Sequence, residues 1–478
     1  MSAIVESFQR IARDRPDCPL VFLAGTGQAL TAADLWHAHE IEMGRLRQAG
    51  LGAGDLLVSA TGNRPDLIAR TVACRALGIA LMAVDAGATR SEIDALGARF
   101  GAAAAMVPRE TTARRRGTPE DFELVAGPGE RHDYRGAAML KLTSGSTGLP
   151  RATFTTESQL VADSRQIARA MGFGPTDTQL AAIPLSHAYG FSVLVVPLLL
   201  QGTPFVLRES FVPQQLTADA RAFDVRRFPG VPFMFEHLLQ HPPEEPWPAG
   251  LQRLVSAGAP LDAAVARAFH ERFGVKVHAF YGTTEGGGIT YDDSDDPAIA
   301  DTVGRPIDGV TVSLRPEADV PGGRVHIRSA AVSAGYVGAD QGDFQDDGFL
   351  AGDYGTVDAN GRLTLSGRVS SFINVAGRKV QPAEVEAVLR EMPAVIDVRV
   401  TGARDDRRGE HVVACLVRRP GSAPLTTIAV RQFCASRLAS HKIPRAVVFV
   451  DAIPLTPRGK TDRAALDALI RSHTTDGQ

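Results

Sequence analysis

The chain is poor in lysine, although its content of basic residues is ordinary. Its 478 residues include 51 basic side chains, of which only five are lysines, at positions 141, 276, 379, 442 and 460, leaving 46 arginines. The formal net charge of −3 argues against a protein that binds nucleic acid by neutralising phosphates. Where a lysine does occur, a need for a compact cation is therefore worth considering.

Cysteines and long apolar runs are also scarce. The four cysteines are scattered without a CxxC pair, which argues against a disulfide framework or a zinc site and fits a reducing compartment. The longest apolar run, FSVLVVPLLL at 191–200, is too short to span a bilayer and contains Pro197. No apolar signal core follows the first residues, MSAIVESFQRIARDRPD, so we expect a cytoplasmic protein.

Strand-like and helix-like segments alternate through the first 300 residues, which predicts parallel sheets covered by helices. Between about 300 and 365, short strand-like runs are joined by glycine-rich turns. A compact mixture of helices and strands follows. The sequence therefore predicts an α/β protein with a large N-terminal domain at 1–367, including a small β-rich subdomain, and a small, mobile α+β domain at 368–478.

One stretch, LTSGSTGLPR at 142–151, has almost nothing apolar to bury. Glycines allow the backbone N–H groups to turn inward and the hydroxyl groups add donors, which suits phosphate oxygens. It is not the P-loop of NTPases, because Gly148 is followed by Leu-Pro-Arg rather than by Lys and Ser or Thr.

TSGSTGLPR resembles the phosphate loop of the adenylate-forming enzymes, which include acyl-CoA and aryl-CoA synthetases, peptide-synthetase adenylation domains and beetle luciferases. Four further motifs, YGTTEGGG, SAGAP, AGDYG and PLTPRGKTDRAAL, resemble those of the family and occur at family-like distances. The resemblance implies an ATP site formed by Thr143, Ser144, Gly145, Ser146, Thr147, Gly148, Arg151, Gly258, Ala259, Pro260, Tyr281, Gly282, Thr283, Asp353 and Arg368.

The resemblance also implies individual roles. Tyr281 would pack on adenine, Thr284 would contact the α-phosphate, and Glu285 would bind Mg²⁺, which prefers carboxylate and phosphate oxygens. Asp353 would accept both ribose hydroxyl groups and Arg368 would reach the same ribose. Lys460 would be the catalytic lysine that bridges the carboxylate and the α-phosphate.

In the family, the small domain rotates after adenylation to allow thioester formation. The resemblance makes Ser370 the hinge residue and places Gly377 and Arg378 in the thiol tunnel. The chain departs from the family pattern at Ser370, where Asp or Lys is usual, and at Arg151, where lysine is usual. Serine can absorb a backbone rotation and arginine can bind phosphate, so both departures are compatible with function.

The acid-binding residues are expected to come from IPLSHAYGFS at 183–192, which resembles the family's aromatic motif, and from two other segments. The candidates are His187, Phe228, Val231, Gly286 and Gly287. The segment SHAYGFSVLVVPLLLQG contains no acidic residue that could pair with an α-ammonium group, which disfavours an α-amino acid. An aryl or fatty carboxylic acid is expected.

The thiol acceptor is expected to be coenzyme A. A separate acyl carrier protein and an amine are alternatives, and a nucleotide-binding relic without turnover is a fourth hypothesis. The sequence thus predicts an ATP-dependent, Mg²⁺-dependent acid–thiol ligase that contacts neither nucleic acid nor the membrane interior.

Overall fold

The computed structural model describes the chain except for residue 1, residue 86 and the segments 110–121, 144–150, 318–319, 339–340, 370–372, 376–377, 381, 406–408, 423–424, 439, 456–460 and 476–478. The chain divides into two compact units. The first comprises Met1–Val312, His326–Leu350 and Ala359–Leu363, and the second comprises Ser313–Val325, Ala351–Asp358 and Thr364–Gln478. Each is described separately below. The domain boundary expected at 367/368 stays a prediction.

The helices are α1 Ala3–Asp14, α2 Ala32–Gln48, α3 Asp66–Leu77, α4 Arg90–Arg99, α5 Glu157–Met171, α6 Ala188–Gly190, α7 Val196–Gln201, α8 Pro213–Ala222, α9 Pro232–Gln240, α10 Ala263–Phe273, α11 Pro382–Arg390, α12 Thr427–Ala435 and α13 Arg463–Thr475. A π-helical turn, Phe191–Val195, joins α6 to α7, and Ser440–Lys442 forms a 3₁₀ turn.

The strands are β1 Pro19–Leu23, β2 Gln28–Thr31, β3 Leu56–Ser59, β4 Ala80–Ala83, β5 Ala104–Pro108, β6 Phe122–Ala126, β7 Ala137–Thr143, β8 Arg151–Thr156, β9 Thr178–Ala181, β10 Phe205–Leu207, β11 Val225–Gly230, β12 Arg253–Ser256, β13 Val277–Thr283, β14 Gly287–Tyr291, β15 Arg305–Pro306, β16 Val310–Glu317, β17 Val320–Ser329, β18 Gly335–Tyr336, β19 Phe344–Gln345, β20 Gly348–Val357, β21 Leu363–Arg368, β22 Ile373–Val375, β23 Arg378–Val380, β24 Val395–Asp405, β25 Gly409–Arg418 and β26 Ala446–Val450.

Two sheets form the first unit. One has the strand order β15-β14-β13-β12-β11-β9-β10-β1-β2, and its pairs from β13 to β1 are parallel. The other has the order β18-β8-β7-β4-β3-β5-β6, with parallel pairs between β7 and β5. Strands such as β3, β4 and β9 are buried along their whole length, as parallel strands covered on both faces should be.

Local sequence explains the boundaries of α5, the helix between these sheets in sequence. The Thr156 hydroxyl accepts a hydrogen bond from the Gln159 backbone N–H, and the Gln159 side-chain oxygen accepts one from the Thr156 backbone N–H, which is a capping box. The helix ends at Gly172, whose φ of 62° is the left-handed conformation that glycine adopts without strain. One face of α5 is fully buried, which places Asp163 in the interior.

A further sheet has the order β16-β17-β20-β19, with β21 beside β20. The chain passes from one unit to the other within strands of this sheet. The C-terminal part of the second unit contains a sheet of order β23-β22-β25-β24, with β26 parallel to β25, together with α11, α12 and α13. Its core is made by side chains such as Val385, Leu389, Val398 and Val430. The fold is mixed α/β with a large N-terminal and a smaller C-terminal part, which confirms the predicted fold class.

None of the four cysteines takes part in a disulfide bond. In the described part of the chain, no helix combines the length and the apolar character needed to cross a membrane.

Candidate active site

Several predicted site residues meet at one edge of the nine-stranded sheet. Strands β9, β11, β12 and β13 are parallel, and their carboxyl ends are followed by His187, Val231, Gly258 and the Thr284–Gly286 turn. Ligands of parallel α/β sheets bind outside these carboxyl ends. The loops at Val231 and Gly258 are close, because a Cβ added to Gly258 would lie 3.7 Å from Val231 Cγ1. The topology therefore places motifs from four separate segments along one edge.

The YGTTEGGG motif forms the tip of a hairpin between β13 and β14. Thr283 pairs with Gly287, and the Thr283 hydroxyl accepts a hydrogen bond of 2.8 Å from the Gly286 backbone N–H. A Cβ at Gly282 would lie 2.7 Å from the carbonyl oxygen of Gly287, so the two strands approach too closely for another residue. Thr284 and Glu285 are thus presented at the tip of a fixed turn.

The Glu285 carboxylate has a neutral hydrogen-bond donor. The Tyr336 hydroxyl donates to Oε1 over 2.8 Å, and the Arg151 guanidinium lies 4.4 Å from the centre of the Tyr336 ring. Burial raises the pKa of Glu285, whereas the Tyr336 hydrogen bond and the charge of Arg151 act in the opposite direction. This carboxylate would be further stabilised as an anion by a cation.

The phosphate loop begins and ends within one antiparallel ladder. Thr143, the last residue of β7, pairs with Arg151, the first residue of β8. The sequence suggests a strand, a loop and then a helix, but strand β8 comes between the loop and α5. Five residues predicted to bind phosphate lie outside the described residues: Ser144, Gly145, Ser146, Thr147 and Gly148. Their phosphate role stays a prediction.

The chemistry of Glu285, a single carboxylate at the hairpin tip, fits a magnesium ion. Within the described residues no cluster of three His, Cys, Asp or Glu side chains could enclose a metal. Mg²⁺ commonly binds to one or two carboxylates and completes its shell with phosphate oxygens and water. The Thr143 hydroxyl, at the end of β7, is buried and has no hydrogen-bond partner among the described residues. A hard oxygen ligand and an unsatisfied hydroxyl match a site for metal and phosphate.

The predicted adenine loop is open to solvent. Gly258 has a φ of 80°, and Gly258, Ala259 and Pro260 are all exposed after the end of β12. Tyr281 is buried within β13. Just before the loop, the buried Ser256 hydroxyl has no hydrogen-bond partner in the described part of the chain. A flat ligand would have free access to this loop.

The residues predicted for the acid pocket differ in exposure. His187 is exposed at the N-terminus of α6, Val231 is half-buried, and Gly286 and Gly287 are buried. Phe228 lies within the core, where its ring centre is 5.9 Å from that of Phe211 and 5.6 Å from that of Phe235. The assignment of all five residues to the pocket stays a prediction.

In the second unit, the two residues predicted to bind ribose are paired with each other. Arg368 Nε donates to Asp353 Oδ1 over 2.7 Å. The Asp353 side chain is 8% exposed, whereas that of Arg368 is 63% exposed. The carboxylate is thus held in place by a guanidinium group that largely faces solvent.

The predicted catalytic lysine and most of the predicted thiol-transfer residues lie outside the described part of the chain. Lys460, the hinge residue Ser370 and Gly377 lie outside the described residues, and Arg378 is described only as part of the backbone of β23. Leu455 and Thr461, which flank residues 456–460, form an antiparallel bridge. Arg399 Nε donates to the Thr461 hydroxyl over 3.0 Å.

Sequence reasoning missed Tyr336 and Lys141. Tyr336 lies in SAGYVG, a small-residue segment 51 positions from Glu285, and nothing local to it signals a partner. Lys141 is 3% exposed, and the charges of Asp163 and Glu285 oppose the lowering of its pKa by burial. The scarcity of lysine is a signal that could have found Lys141, two residues before the phosphate loop.

Comparisons with known proteins identify the family of this chain. Residues 8–337 match the model of the AMP-binding enzymes, and residues 384–460 match that of the AMP-binding enzyme C-terminal domain. The chain is 31% identical over 340 residues to a sulfoacetate–CoA ligase from Cupriavidus necator, covering 69% of this chain and 66% of that ligase. It is 27% identical over 458 residues to a 2-succinylbenzoate–CoA ligase from Geobacillus kaustophilus, covering 92% and 93%.

Among solved structures, the amide bond synthetase McbA from Marinactinospora thermotolerans superimposes with a TM-score of 0.79 at 25% identity, covering 97% of this chain and 99% of the synthetase. The family model alone spans more than half of the chain. The protein therefore belongs to the AMP-binding, adenylate-forming enzymes, as an AMP-forming acid–thiol ligase.

Proposed function

We propose that this protein joins an aryl or fatty carboxylic acid to AMP, releases pyrophosphate, and transfers the acyl group to the thiol of coenzyme A. The observation that carries this proposal is Glu285, a carboxylate with a raised pKa and a neutral donor at the carboxyl edge of the parallel strands. It lies in the hairpin tip whose motif resembles the family's metal-binding segment. The two CoA ligases support the choice of a thiol acceptor.

In the first step, a carboxylate oxygen of the acid attacks the α-phosphorus of ATP and the bond to pyrophosphate breaks. Both reactants are anions, so the site must reduce their repulsion. Glu285 would hold Mg²⁺, with Tyr336 orienting the carboxylate, and the ion would supply positive charge to the phosphates. Lys460 would bridge the attacking carboxylate and the α-phosphate, while Thr284 would hydrogen-bond to the α-phosphate.

In the second step, the coenzyme A sulfur attacks the acyl carbon and the bond to AMP breaks, while the thiol proton is lost. Ser370 would permit the rotation of the C-terminal domain, and Gly377 and Arg378 would line the path of the thiol. Arg368 and Asp353 would hold the ribose during adenylation. The covalent change is confined to substrates, so catalysis consists of positioning and charge stabilisation.

The absence of acidic residues from 186–202 disfavours an α-amino acid. The names of the relatives widen the range to be assayed, because 2-succinylbenzoate contains an aryl ring whereas sulfoacetate is a small acid without one, and each carries a second anionic group. A panel should therefore include aryl, fatty and short dianionic acids.

A second acceptor has a specific observation in its favour. The structural relative at 25% identity is an amide bond synthetase, so transfer of the acyl group to an amine is the alternative that this likeness favours. Mass detection of products with coenzyme A, an amine or a carrier protein separates these outcomes. A thioester with coenzyme A is the expected product.

Pyrophosphate exchange across the acid panel tests the first step. Wild type should exchange with at least one acid, and Lys460→Ala should lower that rate by several orders of magnitude, because a cation that stabilises transferring phosphoryl groups is worth about 10³–10⁵ in rate. Lys442→Ala is the matched control, since Lys442 Nζ bonds to both Glu384 oxygens over 2.7 Å and should leave exchange within about twofold of wild type. Exchange with no acid would show a nucleotide-binding relic, and near-normal exchange in Lys460→Ala would refute the assignment of that lysine.

A further inference from the structure

Asp163 is a buried carboxylate that no motif of the sequence singles out. It lies on α5 and is 2% exposed. Its Oδ1 accepts a hydrogen bond of 2.8 Å from the Gly288 backbone N–H, and its Oδ2 accepts one of 2.5 Å from the Ser192 hydroxyl. A buried carboxylate is stable only with such donors, so these contacts are energetically required.

These two bonds join three segments that are far apart in sequence. Ser192 is itself 2% exposed and is the last residue of the predicted aromatic motif, where it lies in the π-helical turn Phe191–Val195. Gly288 lies in β14, directly after the hairpin tip that carries Glu285. Single π-helical turns inside helices are often found at functional sites. The Asp163 side chain therefore links the helix that carries the aromatic motif to the glycine run, residues 286–288 of the YGTTEGGG motif.

The glycine run is shaped around Asp163. Gly287 has a φ of 73°, and a Cβ added there would lie 2.6 Å from Asp163 Oδ1. A Cβ at Gly288 would lie 2.8 Å from both Ile167 Cγ1 and Phe280 Cζ. These contacts leave no room for a side chain at either position, so the backbone of residues 287–288 rests directly on α5. A change at Asp163 should consequently shift this backbone.

A polar seam on the neighbouring sheet supplies the opposite charge. Lys141 pairs with Thr153 in the β7–β8 ladder, so its side chain lies on the same face as those of Thr153 and Thr155. The Thr155 and Ser333 hydroxyls are 3.0 Å apart, and the Ser333 backbone N–H donates to the Glu285 carbonyl over 2.8 Å. Lys141 is 3% exposed, and the negative charges of Asp163 and Glu285 both oppose the lowering of its pKa by burial.

We propose that Asp163 is a positioning residue that fixes the Gly286–Gly288 backbone as a wall of the acid pocket. Its second hydrogen bond holds that backbone at a fixed position relative to the helix that carries the aromatic motif. This inference rests on the proposed function, because it assigns the wall to the acid rather than to ATP. Asp163 acts through Gly288 and Ser192 and does not touch the substrate.

Three variants test the proposal. Asp163→Ala removes both acceptor oxygens. Asp163→Asn keeps one oxygen that can accept from the Gly288 N–H, and its amide N–H can donate to the Ser192 hydroxyl oxygen. Asp292→Ala is the matched control, because Asp292 is also 2% exposed, binds Lys276 Nζ over 2.7 Å and follows the distal end of the same strand, β14. All three are compared with wild type by melting temperature, kinetics and backbone hydrogen exchange.

Asp163→Ala should raise the KM for the acid by about tenfold or more, while the KM for ATP stays within about twofold, because only the acid wall loses an anchor. Asp163→Asn should stay within about threefold for both substrates. Backbone hydrogen exchange at 286–290 should accelerate in Asp163→Ala and remain unchanged in Asp292→Ala. A fall in melting temperature alone would not separate these two variants.

The proposal is overturned if Asp163→Ala raises both KM values equally, or if its exchange at 286–290 matches that of wild type. Should wild type activate no acid at all, the proposed function fails, yet hydrogen exchange still decides whether Asp163 fixes this backbone. The two failures are therefore distinguishable.

Discussion

Two carboxylates that the sequence motifs single out, Glu285 in the first unit and Asp353 in the second, are held by different kinds of partner. Glu285 receives one hydrogen bond from a neutral phenol, and burial raises its pKa. Asp353 is paired with the guanidinium of Arg368 at 2.7 Å. The difference suits the predicted roles: the net raised pKa of Glu285 would be offset by a bound cation, whereas Asp353 is already stabilised as an anion by an adjacent guanidinium group.

Among variants of these two carboxylates and their partners, the largest effect is expected from Glu285→Gln, which removes the charge but keeps an oxygen for Tyr336. Pyrophosphate exchange should fall by about 10²–10³, the scale for losing a preorganised charge-stabilising group. Without metal, the variant should be more stable than wild type near neutral pH. Pyrophosphate exchange with Mg²⁺ present checks the first outcome, and melting temperatures in chelator-treated buffer check the second.

The pH dependence of that stability follows from the sign of the pKa shift. Because the folded protein raises the pKa of Glu285, the folded state binds this proton more tightly than the unfolded chain does. The resulting stability is present below the ordinary glutamate pKa and is lost as pH rises through the raised value. The melting-temperature gap between Glu285→Gln and wild type should therefore be small near pH 4 and grow toward pH 7; a gap independent of pH would contradict the burial of this charge.

A smaller effect is expected from Asp353→Ala, which takes away the acceptor proposed for the ribose hydroxyls. The KM for ATP should rise by about ten- to a hundredfold, as expected for the loss of charged hydrogen bonds, with little change in the KM for the acid. Wild type should discriminate against 2′-deoxy-ATP, and the variant should not. If Asp353→Ala still prefers ATP over 2′-deoxy-ATP, Asp353 has no role at the ribose.

The smallest effect is expected from Tyr336→Phe, which removes the hydroxyl donor to Glu285 and so increases the dependence of that carboxylate on a bound cation. The Phe ring can keep the edge contact with Phe344 and the stacking of Arg151, whereas the 2.8 Å hydrogen bond is lost. The rate at limiting Mg²⁺ should fall by about tenfold and recover in part at saturating Mg²⁺. An unchanged magnesium titration would mean that the phenol does not orient the carboxylate.

Much of the fold could be predicted from the sequence, because alternating apolar segments and helix caps are local signals. Thr31, for example, caps the N-terminus of α2, and short apolar runs such as those of β3 and β4 form buried parallel strands, as the alternation of segments predicts. Strand β8 was missed because RATFTT is short and rich in threonine, and its last residue, Thr156, is also the N-cap of α5. A short half-buried strand beside a helix cap carries little local signal of its own.

The candidate site was predictable only where a motif lies in a continuous segment. Glu285, Thr284 and Gly258 could be named from such segments, whereas the contact of Tyr336 with Glu285 depends on how two distant segments fold. Asp163 illustrates the same limit, because its donors come from Ser192 and Gly288. Partners of this kind are set by packing between layers rather than by spacing along the chain.

The pairing of Thr143 with Arg151 has a consequence for how this enzyme could be re-engineered. Both ends of the seven-residue insert at 144–150 belong to one antiparallel ladder, so its attachment points are set by β7 and β8 alone. Segments of other lengths or sequences could be grafted between these two points without altering the strand register. The strength of phosphate binding could in this way be varied by exchanging one cassette, without changing the segments proposed to bind adenine and the acid.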